Sequence, residues 1–135
     1  EYYDIVQDGM QKVLESGTAA RSQIKGITVL GKTGTAQNPG KDHSLFVGFA
    51  PRENPKIAVG IMVENGGWGS DWAAPIATLM IEKYLNDTIA RKDLEKRMFE
   101  GVITPKVYQP KVPIAKKDSV VKLIPVRPKL IKTKN

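Results

Sequence analysis

The run Lys32-Thr33-Gly34-Thr35 holds the residue types a chain needs to grip an anionic group beside an extended peptide. Lys32 offers a positive charge, and Thr33 offers a hydroxyl that can donate a hydrogen bond to a carboxylate. Gly34 removes a side chain at a point where a ligand has to come close to the backbone. If the run lies on a strand, an extended ligand can add to it as a further strand through main-chain hydrogen bonds. A three-letter match is weak alone, because a surface lysine beside a glycine turn looks the same.

The elements that position this run can be read from hydrophobic period and turn chemistry. Tyr2, Val6, Met10, Val13 and Leu14 recur at three-to-four spacing, which predicts an amphipathic helix over residues 2–15 with Gly9 as its weak point. Ser16-Gly17-Thr18 ends it. The β-branched and apolar stretch Gly26 to Gly31 predicts a strand that runs on into Lys32-Thr33-Gly34-Thr35-Ala36 and stops at Asn38-Pro39-Gly40. Ser44 to Ala50 is a second strand, stopped by Pro51, and Lys56 to Glu64 a third; their short links imply antiparallel neighbours. After the glycine-rich loop at Asn65-Gly66-Gly67-Trp68-Gly69, the spacing of Ile76, Leu79, Met80, Lys83 and Tyr84 predicts a helix from Pro75. Arg91 to Glu100 reads as a short final helix closed by Gly101. The expected class is α+β: three antiparallel strands covered by helices.

The 135 residues are 41% hydrophobic and 26% charged, as in one soluble globular unit. No stretch approaches the roughly 20 apolar residues that span a bilayer, and no charged-then-apolar leader opens the chain. With no cysteine and a single histidine, His43, neither a disulfide nor a zinc site of the usual kind is expected, and no cofactor is implied. The net charge of +7 is unevenly placed: residues 1–90 hold eight Lys/Arg against ten Asp/Glu, and residues 91–135 hold thirteen against four. Beyond Thr104, five of the nine prolines fall among nine Lys/Arg. The expected division is a folded unit over 1–103 and a basic, Pro/Lys-rich tail over 104–135, extended or disordered. Val120 to Ile124 is the one piece of it that could pair as a strand.

Context makes the Lys-Thr-Gly run specific. Lys32 to Gln37, Asp42-His43-Ser44-Leu45-Phe46-Val47-Gly48-Phe49-Ala50-Pro51, Val63-Glu64-Asn65-Gly66-Gly67 and Ala74-Pro75-Ile76-Ala77 follow in order, and together they resemble class B penicillin-binding proteins of the penicillin-binding protein 2 type. The resemblance covers roughly residues 5–90. It implies the penicillin-binding/serine β-lactamase-like fold, with the Lys-Thr-Gly strand at the edge of the active-site cleft. Enzymes of this family cross-link peptidoglycan: a serine attacks the penultimate D-alanine carbonyl of a stem peptide, and an amine on a neighbouring stem resolves the acyl-enzyme. Penicillins mimic the D-alanyl-D-alanine end and acylate the same serine. Of the three family motifs, Ser-x-x-Lys, Ser-x-Asn and Lys-Thr-Gly, Lys32, Thr33 and Gly34 match the third, which orients the substrate carboxylate. The backbone N–H of Thr35 matches one donor of the oxyanion hole. The resemblance further implies β-lactam binding, a partner glycosyltransferase, and a membrane-anchored parent on the periplasmic face of the inner membrane.

Two of the three motifs have no credible match. No Ser-x-Asn occurs at Ser16, Ser22, Ser44, Ser70 or Ser119. Ser22-Gln23-Ile24-Lys25 and Ser119-Val120-Val121-Lys122 satisfy Ser-x-x-Lys, but sixteen lysines make chance matches easy. The chemistry needs the serine at a helix start with the lysine one turn on; Ser22 instead leads straight into a strand, and Ser119 sits in the tail. The expectation is a C-terminal part of a transpeptidase domain with no nucleophile of its own, inactive alone, whose strand at Ile57 to Val63 lacks a neighbour. Among decoys, Tyr84-Leu85-Asn86 imitates a second motif but reads as helix core. His43 reads as a hydrogen-bonding residue at a strand entry, and Trp68 and Trp72 as packing or groove residues around the glycine loop. Two other classes stay open: a serine β-lactamase or carboxypeptidase relative that hydrolyses, and a non-enzymatic module binding an anionic polymer through its tail. No nucleic acid is expected as partner.

Overall fold

The computed structural model describes residues 1–105; the tail expected beyond Thr104, including Ser119 and the Val120 to Ile124 piece, lies almost wholly outside the described residues. Helix α1 (Tyr2–Glu15) leads through a short 3-10 turn at Ala20–Ser22 to strands β1 (Leu30–Ala36), β2 (His43–Ala50) and β3 (Ile57–Val63). Helices α2 (Ala73–Asn86) and α3 (Lys92–Glu100) follow. The strands form one antiparallel sheet in sequence order, with Thr33 opposite Phe46 and Phe46 opposite Ile61. Helices and an antiparallel sheet make the α+β class expected.

Because side chains alternate along a strand and cross-strand partners share a face, the register sorts the sheet into two sides. Thr33, Phe46 and Ile61 belong to one; Lys32, Val47 and Gly60 belong to the other. The first side is closed. Phe46 is fully buried there with Leu14, Ala19, Ala77 and Ile81, and Val59 and Ile61 pack against the same cluster. The Phe46 ring lies flat across the backbone of β1 and β2: a Cβ added to Gly31 would come within 2.2 Å of it, and one on Gly48 within 2.8 Å. Those glycines make room for the ring.

The first strand is shorter than the sequence suggests. Gly26 adopts φ +80 in a tight turn that bridges Ile24 to Ile27, so the apolar run 26–29 does not extend and β1 begins only at Leu30. Helix α2 starts two residues before Pro75, at Ala73, which keeps the proline in the first turn. Its N-terminus has no side-chain cap from its own flank. Instead Ser44 of β2, fully buried, accepts the Ala73 N–H on Oγ (3.1 Å) and donates to the Trp68 carbonyl (2.8 Å). The far end of α2 is fixed by a buried ion pair: Glu82 accepts Arg91 Nε (2.8 Å) and the Ala90 N–H (3.1 Å). Arg91 Nη1 donates to the carbonyls of Ser22 (2.9 Å) and Gln23 (3.1 Å).

Candidate functional site

The Lys32-Thr33-Gly34-Thr35 run lies in the middle and second half of β1, with β2 on one side only and no further strand beside it among the described residues. A free strand edge is the geometry that main-chain addition of an extended ligand needs. Two turns hold the run. At its far end the β1–β2 loop is tied down: the Asn38 N–H donates to Asp42 Oδ1 (3.3 Å), and the Asp42 carbonyl accepts the Gly67 N–H (2.8 Å). Behind its centre the glycine loop passes so close that a Cβ on Gly69 would stand 2.7 Å from the Gly34 carbonyl oxygen and 2.3 Å from that of Leu45.

The four residues do not point one way. Lys32 rises from the open face beside Val47, and its Nζ donates to the Thr33 carbonyl (2.7 Å). Thr33 points to the opposite side and is half-buried, with its hydroxyl 2.7 Å from that of Thr18 at the end of α1. Among the described residues Gly34 has only the Leu45 Cβ near the place its own would take, at 3.3 Å. Thr35 is exposed. The open face around Lys32 is apolar elsewhere: Val47 is 54% and Met62 61% exposed.

The secondary candidates divide. Ser22 is buried in the 3-10 turn, where its carbonyl is engaged by Arg91, which is not the exposed helix start a nucleophile requires. His43 accepts the Asn65 N–H on Nδ1 (3.0 Å), the hydrogen-bonding part at a strand entry that its position suggests. Trp72 packs on the chain after α3, since a Cβ at Gly101 would meet its ring at 2.3 Å, whereas Trp68 is largely exposed. Tyr84 is a correction. Helical spacing places it in the core, but it is 61% exposed, because the described chain covers α2 with β2 and β3 on the other side. Ser44, Gly69 and Thr18 were not legible as site supports. The capping and contact they provide join residues far apart in the chain, and only the glycine of the three has a sequence signal, the loop that contains it.

Residues 1–82 match the penicillin-binding protein transpeptidase domain. The chain belongs to this family of transpeptidase domains. Among curated relatives it is 35% identical over 96 residues to the peptidoglycan D,D-transpeptidase MrdA of Acinetobacter baumannii, covering 59% of this chain and 14% of that protein. Among solved structures it is similar to PBP2 of Pseudomonas aeruginosa, determined in complex with WCK 5153, at 41% identity and a TM-score of 0.58 over 67% of this chain and 21% of that one. It is also similar to penicillin-binding protein A of M. tuberculosis, captured as a ceftriaxone acyl-enzyme, at 32% identity and a TM-score of 0.52 over 57% and 19%. The chain thus spans only about a seventh to a fifth of the length of these relatives.

Proposed function

We propose that this chain is the substrate-orienting C-terminal portion of a peptidoglycan D,D-transpeptidase that cross-links stem peptides in the cell wall. Lys32 and Thr33 leave the strand on opposite faces, but the Lys32 Nζ curls round to the Thr33 carbonyl; at that edge the two hold the terminal carboxylate of a D-alanyl-D-alanine end, or the carboxylate of a β-lactam that imitates it. Gly34 lets the ligand backbone lie along β1, and the Thr35 N–H stabilises the oxyanion as the carbonyl is attacked. The attacking serine and its lysine come from a preceding half of the domain, which covers the face that carries Lys32, Val47 and Met62. In that setting the whole enzyme works at the periplasmic face of the inner membrane, beside a glycosyltransferase. The observation that carries this reading is the free outer edge of β1 at the matched motif, next to an apolar sheet face left open.

By itself the chain transfers no acyl group, since Ser22 is buried and no other Ser-x-x-Lys lies among the described residues. Intact-mass spectrometry after exposure to benzylpenicillin tests both halves of the reading. A covalent adduct is expected on the complete transpeptidase and none on residues 1–135 alone. An adduct on the short chain would refute its inactivity and make Ser22 the first suspect; none on either would overturn the transpeptidase assignment.

A further inference from the structure

The hydroxyls of Thr18 and Thr33 lie 2.7 Å apart, a full-strength hydrogen bond between residues fifteen positions apart. Neither end of that bond is free to wander. Thr18 stands in the turn that ends α1, where the Gly17 N–H donates to the Lys12 carbonyl (2.9 Å) and the Ala19 N–H to that of Val13 (2.9 Å). Gly17 passes so close to α1 that a Cβ would stand 2.8 Å from Val13 Cα, and Ala19 is buried in the core. Thr33 is fixed by its register opposite the fully buried Phe46.

Two hydroxyls in contact share one bond and keep one proton to offer elsewhere. A carboxylate only accepts, so a ligand held by Thr33 requires the Thr33 proton to point outward and the Thr33 oxygen to accept. Thr18 is placed to be the donor. We infer that Thr18 is a positioning residue for carboxylate recognition: its hydroxyl donates to Thr33 Oγ1, selects one Thr33 rotamer and turns the Thr33 proton toward the ligand. The chained bonds polarise one another, which strengthens the outer one. The inference rests on the proposed role of Thr33 and adds to it a residue outside the Lys-Thr-Gly motif.

The test is made in the complete transpeptidase carrying this region, with Thr18→Val, Thr18→Ser and Thr33→Val. Acylation rates are compared for benzylpenicillin and its methyl ester, which lacks the anionic carboxylate. Thr18→Val should lower the benzylpenicillin rate about three- to tenfold, the range for one lost hydrogen bond, and leave the ester rate unchanged. Thr18→Ser should restore the benzylpenicillin rate to within about twofold, because the donor is kept. The acid-to-ester ratio is internal to each variant, so a smaller folded fraction cancels from it. Equal loss with both substrates, or no loss, would overturn the inference and reduce Thr18 to a structural residue. If Thr33→Val shows the carboxylate-dependent loss and Thr18→Val does not, the Thr18 inference alone falls. If Thr33→Val shows none, the assignment of Thr33 falls and takes Thr18 with it.

Discussion

The two faces of the sheet are built from the same three strands and differ in almost everything else. On one, Phe46 is sealed by α2, the C-terminal part of α1 and the glycine backbone; on the other, its neighbour Val47 stands more than half exposed beside Lys32. Residues one position apart therefore answer to different demands: Phe46 to packing within this chain, Val47 and Lys32 to a face that the described residues leave uncovered around them. The first is explicable from local contacts, and the second only from function.

Truncation should do most damage on the closed face. Phe46→Ala should cost about 3–5 kcal/mol in chemical denaturation, the range for emptying a buried aromatic site, whereas Val47→Thr on the open face should stay within about 0.5 kcal/mol. Similar losses from both would mean that the open face is covered in solution. Ser44→Ala comes next, at about 1–2 kcal/mol, because it strips the α2 N-terminus of its cap and leaves the Ala73 N–H buried without an acceptor. Met62→Lys is the smallest in stability, within about 0.5 kcal/mol for the chain alone. Its effect should surface only when the complete domain is assembled, as a drop in soluble, penicillin-reactive enzyme.

Most of the architecture was legible because helix and strand periods are local. The exceptions are non-local. β1 starts later than composition predicts because the run from Gly26 to Val29 has strand composition, while a positive φ at Gly26 turns it aside. The start of α2 depends on a serine twenty-nine positions earlier, which no flanking signal announces. Tyr84 continues an apolar stripe that the described chain leaves uncovered, as do Tyr2 and Val6 at the exposed N-terminal part of α1, so amphipathic spacing showed which faces are sticky without showing which are filled. At the candidate site, residue types and order could be read from Lys32 to Thr35, but not which of Lys32 and Thr33 faces the packed side of the sheet. That they alternate follows from the strand period itself; which of the two meets the packed face follows from the pairing of Thr33 with Phe46, which the sequence of one strand does not contain.

The family match stops at residue 82, yet among the described residues the carboxylate of Glu82 is satisfied by Ala90 and Arg91 alone, and Arg91 also reaches back sixty-nine positions to Ser22. The electrostatic boundary of the domain therefore lies beyond the boundary drawn by similarity. Arg91→Ala, which removes the cation and leaves the rest of the segment in place, would leave the Glu82 carboxylate buried with the Ala90 N–H, a defect of about 3–5 kcal/mol, comparable to the loss of the Phe46 ring. The segment after α2 is thus part of the fold's own closure, a latch whose far half is the 3-10 turn that follows α1.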